Sequence, residues 1–261
     1  MIKTIAISNQ KGGVAKTTTC LSLGASLAEM GYLFLLIDLD PQSSLTLSMG
    51  LHPEELRRTA EDALLGNTSL VRVSRETSIP GLDIVPANQR LLVLDKVLYG
   101  GHDFQYRLKR GLEAMGRDFY HFVVIDCPSS IGTLTLNALT AADLLIVPIQ
   151  CEYYAAHALR PYLKVVQTLR QKTNPRLAYR VLVTMYDQRN KICRIILDQM
   201  QLGLNPFLLH TIIEVDNKLR ESPAFGQPVT RYAPKARGAE QYRALAKELL
   251  NGVTESWTVK S

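Results

Sequence analysis

Eight residues near the start of the chain, Lys11-Gly12-Gly13-Val14-Ala15-Lys16-Thr17-Thr18, constrain its fold more than any other stretch. They follow an apolar, β-branched run and open a helix-length segment, so the order is strand, glycine-rich turn, helix. That order suits a chain of phosphates. Successive backbone N–H groups converge on the anion, the glycines let the backbone come close, and a helix N-terminus stands behind it. Lys16 adds a point charge for the β- and γ-phosphates, and the Thr17 hydroxyl can ligate Mg²⁺. A merely tight turn into a helix needs neither the lysine nor the threonines. One position departs from the usual pattern: Ala15 stands where a glycine normally precedes the lysine. Its methyl is tolerable if φ there stays negative.

The rest of the chain alternates in the same sense. Residues 3–8, 32–38, 82–86, 122–126, 144–149, 180–185 and 208–213 read as strands, near-continuously apolar as parallel strands covered on both faces should be. Residues 16–30, 104–115, 133–141, 155–170, 191–202 and 239–250 have helical length and pattern. The alternation predicts an α/β fold with a doubly wound, mostly parallel sheet flanked by helices. Proline and glycine fall at predicted turns (Pro80-Gly81, Pro175) and there is no linker, so residues 1–261 are expected to form one domain. No apolar run reaches the roughly 18 residues that span a bilayer, and residues 1–8 are too short for a signal peptide, which points to the cytoplasm. Cys20, Cys127, Cys151 and Cys193 lack metal-site spacing and read as small buried hydrophobes.

Two carboxylate motifs complete the phosphate site. Phe122-Val123-Val124-Ile125-Asp126 is an apolar strand ending in a carboxylate, the form that holds nucleotide-bound Mg²⁺ through its outer shell. The second strand ends Asp38-Leu39-Asp40-Pro41-Gln42, with two carboxylates leaving it on one face beside the first loop. As a blander reading, Asp38 and Asp40 are turn residues before Pro41.

The spelling Lys-Gly-Gly-x-x-Lys-Thr-Thr resembles the deviant Walker A motif of the ParA/MinD superfamily of P-loop ATPases. Asp38-Leu39-Asp40-Pro41-Gln42 resembles the sequence after the second strand of its ParA branch. The likeness continues through Asp126-Cys127-Pro128-Ser129-Ser130, Val147-Pro148-Ile149-Gln150-Cys151-Glu152-Tyr153-Tyr154, Glu221-Ser222-Pro223 and Tyr232-Ala233-Pro234-Lys235-Ala236-Arg237-Gly238, and is strongest to chromosomal, Soj-like ParA proteins. It implies ATP and Mg²⁺ as cofactors and slow hydrolysis. Lys11 is then the signature lysine, crossing a nucleotide-sandwich homodimer to the partner's phosphates. Asp40 positions the attacking water, and Asp38 supports the metal. Ser129 replaces a second proline, and Lys218 and Arg220 carry the basic pattern before Glu221 in a shifted register.

Charge bears on the partner. Of a net +6, residues 1–159 hold 13 Lys/Arg against 16 Asp/Glu, and residues 160–261 hold 17 against 8. So basic a half suits a polyanion, although a solvated surface accounts for charge alone equally well. With the resemblance, it implies a partition ATPase whose ATP dimer binds DNA nonspecifically through Arg189, Lys218 and Arg220, with Arg194 and Arg243 as further candidates. A ParB-like protein would then trigger release, and the protein would be nucleoid-associated. A MinD-like ATPase cycling on membrane is the alternative, but residues 251–261 lack a basic amphipathic helix, so no stable membrane association is expected. A relative that positions a protein cargo on the nucleoid shares the same chemistry. A metal-cluster reductase on this fold would need paired cysteines.

Overall fold

The computed structural model describes residues 3–116 and 119–254. Its strands are β1 (Lys3–Ile7), β2 (Phe34–Asp38), β3 (Arg75–Glu76), β4 (Leu82–Val85), β5 (Phe122–Asp126), β6 (Leu144–Gln150) and β7 (Ala178–Thr184). They form one sheet in the order β3-β4-β2-β5-β1-β6-β7, parallel except for the short edge strand β3. The helices are α1 (Lys16–Glu29), α2 (Ser44–Ser48), α3 (Ala60–Leu65), α4 (Leu70–Val73), α5 (Leu91–Leu98), α6 (Arg107–Met115), α7 (Thr133–Ala141), α8 (Tyr153–Lys172), α9 (Lys191–Leu204), α10 (Asn217–Glu221), α11 (Val229–Tyr232) and α12 (Arg237–Thr254). One apolar core, with residues of α3 to α9, covers one face of the sheet, and a second, with α1 and α12, covers the other. The doubly wound α/β expectation holds. β1 lies between β5 and β6, so its C-terminal end opens where ligands enter such sheets.

α1 is buried almost all round, between the sheet and α12. Small residues permit this. A Cβ on Gly24 would lie 3.0–3.1 Å from Phe34, Leu36 and Leu82 side chains. Two polar contacts from α12 hold α1 at both ends: the Tyr242 and Thr19 hydroxyls lie 3.0 Å apart, and Arg243 pairs with Glu29 at 2.7 Å.

One expected strand does not form. Residues 208–213 run beside β7 but make one isolated bridge with it, Val181 with Leu208, and a second bridge, Tyr186 with Glu214, falls just beyond both segments. The ladder breaks because Glu248 on α12 takes the intervening N–H groups, His210 at 2.7 Å and Thr211 at 2.9 Å. The helix read at 104–115 begins as a 3₁₀ turn, and α2 to α5, at four to eight residues, are too short to show a period. All four cysteines are free and buried. Among the described residues no helix is long and apolar enough to cross a membrane, and residues 255–261, part of the segment compared with MinD, lie outside them.

Tyr242→Phe leaves the fully buried Thr19 hydroxyl without its partner, a loss of about 1–2 kcal/mol. Urea unfolding should show that destabilisation; an unchanged midpoint would contradict the clamp.

Candidate nucleotide-binding site

Residues 9–15 leave β1 and are propped from the neighbouring strand ends. Asn9 Nδ2 donates to the Pro148 carbonyl at 2.7 Å, Gln150 Nε2 to the Gly13 carbonyl at 3.1 Å, and Thr184 Oγ1 to the Val14 carbonyl at 3.1 Å. The last two bonds engage the loop's carbonyls, while the first N–H groups of α1 have no acceptor within the helix. Gly13 (φ 72°) and Ala15 (φ 64°) both adopt the left-handed conformation, alternation of the kind that curls N–H groups into an anion-binding nest. The condition under which the Ala15 methyl costs nothing, a negative φ, is therefore not met. The loop turns into α1 at this residue, and the turn demands a conformation that only glycine takes freely.

Lys16 is buried, 7% exposed, with Nζ 3.3 Å from the Lys11 carbonyl and 3.2 Å from Ser129 Oγ. Thr17 Oγ1 donates to Asp126 Oδ2 at 2.7 Å. Asp38 and Asp126 are register partners on β2 and β5, and both are fully buried. Asp38 Oδ1 accepts from the Asp40 N–H, and Oδ2 from both the N–H and the hydroxyl of Thr46. Asp126 Oδ1 is buried with no hydrogen-bond partner among the described residues. Burial pushes the Asp38 carboxyl up to about 7. Burial, then the Asp38 charge, pushes Asp126 up to about 8. An orphaned buried carboxylate oxygen beside a hydroxyl and a second carboxylate is a donor set of hard oxygens, which fits Mg²⁺ shared with ligand phosphates.

Beyond the loop a cleft of about 440 Å³ continues past Asp40, Gln42 and Ser129 to a wall made by Met185, residues 213–216, Leu219, Arg220 and Tyr242. Its volume is within the range of small-molecule sites. Met185, also left-handed at φ 53°, turns the chain away from β7 to form this wall. Asp40 is half-buried at the cleft, its Oδ1 accepting from the Gln42 N–H at 2.9 Å. Asp216 is committed to structure: its two oxygens accept the N–H groups of Lys218 and Gly238. Sequence reasoning missed Ser129 as the contact of Lys16, and it did not single out Met185, Ile213, Val215 or Tyr242 as residues of the cleft.

The structure separates the remaining candidates. Lys11 Nζ bonds to Gln150 Oε1 at 3.0 Å and pairs with Glu152 at 2.5 Å, within its own chain. Arg189 makes a two-pronged pair with Asp187 at 2.9 Å, holding that carboxyl below its usual range, at about 2. Lys218 pairs with Glu221 at 2.7 Å, and Arg189 and Lys218 line one depression together with Arg237. Arg220 instead lines the nucleotide cleft. Arg194 donates to the Gln188 carbonyl, and Arg243 is held by Glu29.

Ala15→Gly should relieve the left-handed strain and, after the larger chain entropy of glycine, stabilise the protein by up to about 1 kcal/mol. Thermal unfolding checks this, and a clear loss of stability would contradict it. The carboxyl pair sets a pH dependence. Both groups hold protons more tightly folded than unfolded, so their contribution to stability falls as pH rises from the ordinary 3.8 through about 8. Asp126→Asn keeps an acceptor for Thr17 and removes one charge. In nucleotide-free protein it should therefore gain more stability at about pH 8.5 than at about pH 5. Equal effects at both values would show that the two carboxyls do not share this burden.

The comparisons agree with the geometry. A family model described as an AAA domain matches residues 2–179. The sporulation initiation inhibitor protein Soj of Bacillus subtilis is 38% identical over 250 residues, covering 95% of this chain and 98% of its own. The chromosome partitioning protein ParA of Caulobacter vibrioides is 37% identical over 252 residues, covering 96% of this chain and 94% of its own. Among solved structures, a cobyrinic acid a,c-diamide synthase from Mycobacterium smegmatis with bound ADP and magnesium superposes with a TM-score of 0.83 at 36% identity, over 97% of this chain and 96% of that one. With a phosphate loop, paired strand-end carboxylates and this likeness along nearly its whole length, the chain belongs to the Soj/ParA family of P-loop ATPases.

Proposed function

We propose that this chain is a positioning ATPase. It pairs with a second copy around Mg·ATP, lies on DNA without sequence preference in that state, and is released when a ParB-like protein stimulates hydrolysis. One observation carries the ATPase core of the reading: the buried Lys16 ammonium, held by Ser129 and the Lys11 carbonyl, stands at a nest-shaped loop beside the Asp38–Asp126 pair. A nucleotide triphosphate and Mg²⁺ together match that arrangement of charge.

Lys16 and the N–H groups of the loop and of the start of α1 bind and orient the β- and γ-phosphates. Thr17 and Asp126, with Asp38 behind them, would hold Mg²⁺, which when bound neutralises charge developing on the phosphate oxygens. Asp40 orients the attacking water from the side of the cleft. Lys11 supplies positive charge to the partner's phosphates, but in the lone chain its ammonium is engaged by Gln150 and Glu152. Turnover is slow because this charge is completed only after Lys11 leaves those acceptors for a second copy. The basic balance of residues 160–261 supports DNA as the surface on which the dimer rests. Arg189 and Lys218 would exchange their carboxylate partners for phosphates. The protein would then reside in the cytoplasm on the nucleoid.

Asp40→Ala is expected to keep Mg·ATP affinity, lose most hydrolysis and accumulate as a dimer by light scattering. Parental turnover in this variant would refute the role of Asp40. The parent should shift unrelated duplexes alike with ATP and not with ADP. Its affinity should fall with salt at a log–log slope of about −0.9 per phosphate neutralised. Equal binding with ADP would exclude the DNA reading.

A further inference from the structure

Residues 127–132 join β5 to α7 and carry Ser129, the hydroxyl contact of Lys16. One end of this loop is fixed by the sheet at Asp126. The other end is fixed by a different element. Asp95, on α5, accepts the N–H of Leu134 through Oδ1 at 3.0 Å, and its backbone carbonyl accepts the Thr133 hydroxyl at 2.9 Å. A helix ordinarily takes such a bond from its own N-cap side chain. The N-cap of α7 is Gly132, which has none. A side chain there would push the carboxylate out of this place: a Cβ on Gly132 would lie 2.6 Å from Asp95 Oδ2. The carboxylate thus occupies the place of the missing cap, and its charge faces the favourable end of the helix dipole. Thr135 Oγ1 bonds back to the Ser130 carbonyl at 2.6 Å, tying the first turn of α7 to the loop.

We propose that Asp95 is a positioning residue for hydrolysis. By capping α7 in place of Gly132, it fixes the far end of the 127–132 loop and so the place of Ser129 against Lys16. Asp95 does not line the cleft, so it acts through α7 and the loop, not on the nucleotide. The inference rests on the ATPase reading above.

Asp95→Ala, Asp95→Asn, Gly132→Ala and the double variant Asp95→Ala/Gly132→Ala test it beside the parent. Steady-state hydrolysis, calorimetric affinity for Mg·ADP, urea unfolding and hydrogen exchange are measured on each. Asp95→Ala should lower kcat about tenfold, the size of a lost N-cap, with Mg·ADP affinity unchanged. Amides of residues 129–134 should exchange faster while those of 12–18 do not. Asp95→Asn keeps an acceptor for Leu134 and should recover most of the rate. Gly132→Ala should be more stable with Asp95→Ala than without it, because the clash is gone. Parental kcat in Asp95→Ala, or a parallel loss of kcat, Mg·ADP affinity and stability, would overturn the proposal. A parent that hydrolyses no ATP refutes the ATPase reading instead; the exchange pattern, which needs no turnover, still decides whether Asp95 holds the loop.

Discussion

Three ionisable side chains kept from water govern this molecule: the Lys16 ammonium and the carboxyls of Asp38 and Asp126. Each alone would cost several kcal/mol to bury in its charged form. Parallel pairing of β2 with β5 sets the two carboxyls side by side, and pairing of β5 with β1 brings the start of α1 over them. Thr46, Thr17 and the Asp40 N–H donate to the carboxyls, yet Asp126 Oδ1 is left over. Two carboxylates and an incomplete donor set call for a cation, and the ammonium above them calls for an anion. A metal-bound phosphate chain answers both.

Such a site works only if it does not collapse onto itself. The loop is held by three bonds to β6 and β7, made by Asn9, Gln150 and Thr184, and α1 is clamped between the sheet and α12. Surroundings that over-determine a segment can sustain local strain. Ala15 is maintained in the left-handed conformation in this way, and the same rigidity spares the loop reorganisation when phosphate charge arrives.

What was legible in the sequence follows a physical division. The phosphate loop, Asp126 and the Asp38/Asp40 pair were legible because their chemistry lies within a few residues of a strand end. The Lys16–Ser129 contact joins residues 113 apart, and Lys11 meets Glu152 across 141, separations at which no local pattern speaks. Residues 208–213 have the composition of a strand, but one carboxylate from α12 diverts their N–H groups, a tertiary override of propensity. The methyl of Ala15 was legible as a departure, whereas the sign of its φ was not, since that depends on how the loop enters α1. Arg189 and Lys218 were legible as basic residues, and their ion pairs with Asp187 and Glu221 became visible only in the folded chain.

The most direct test of this account is a calorimetric titration of Mg·ATP into the parent and into Lys16→Ala. If the buried ammonium is the fixed partner of the β- and γ-phosphates, the parent binds with a measurable heat. The variant then loses that binding while unfolding cooperatively as before. Equal affinity in the two proteins would contradict the assignment of the loop, and with it the nucleotide site.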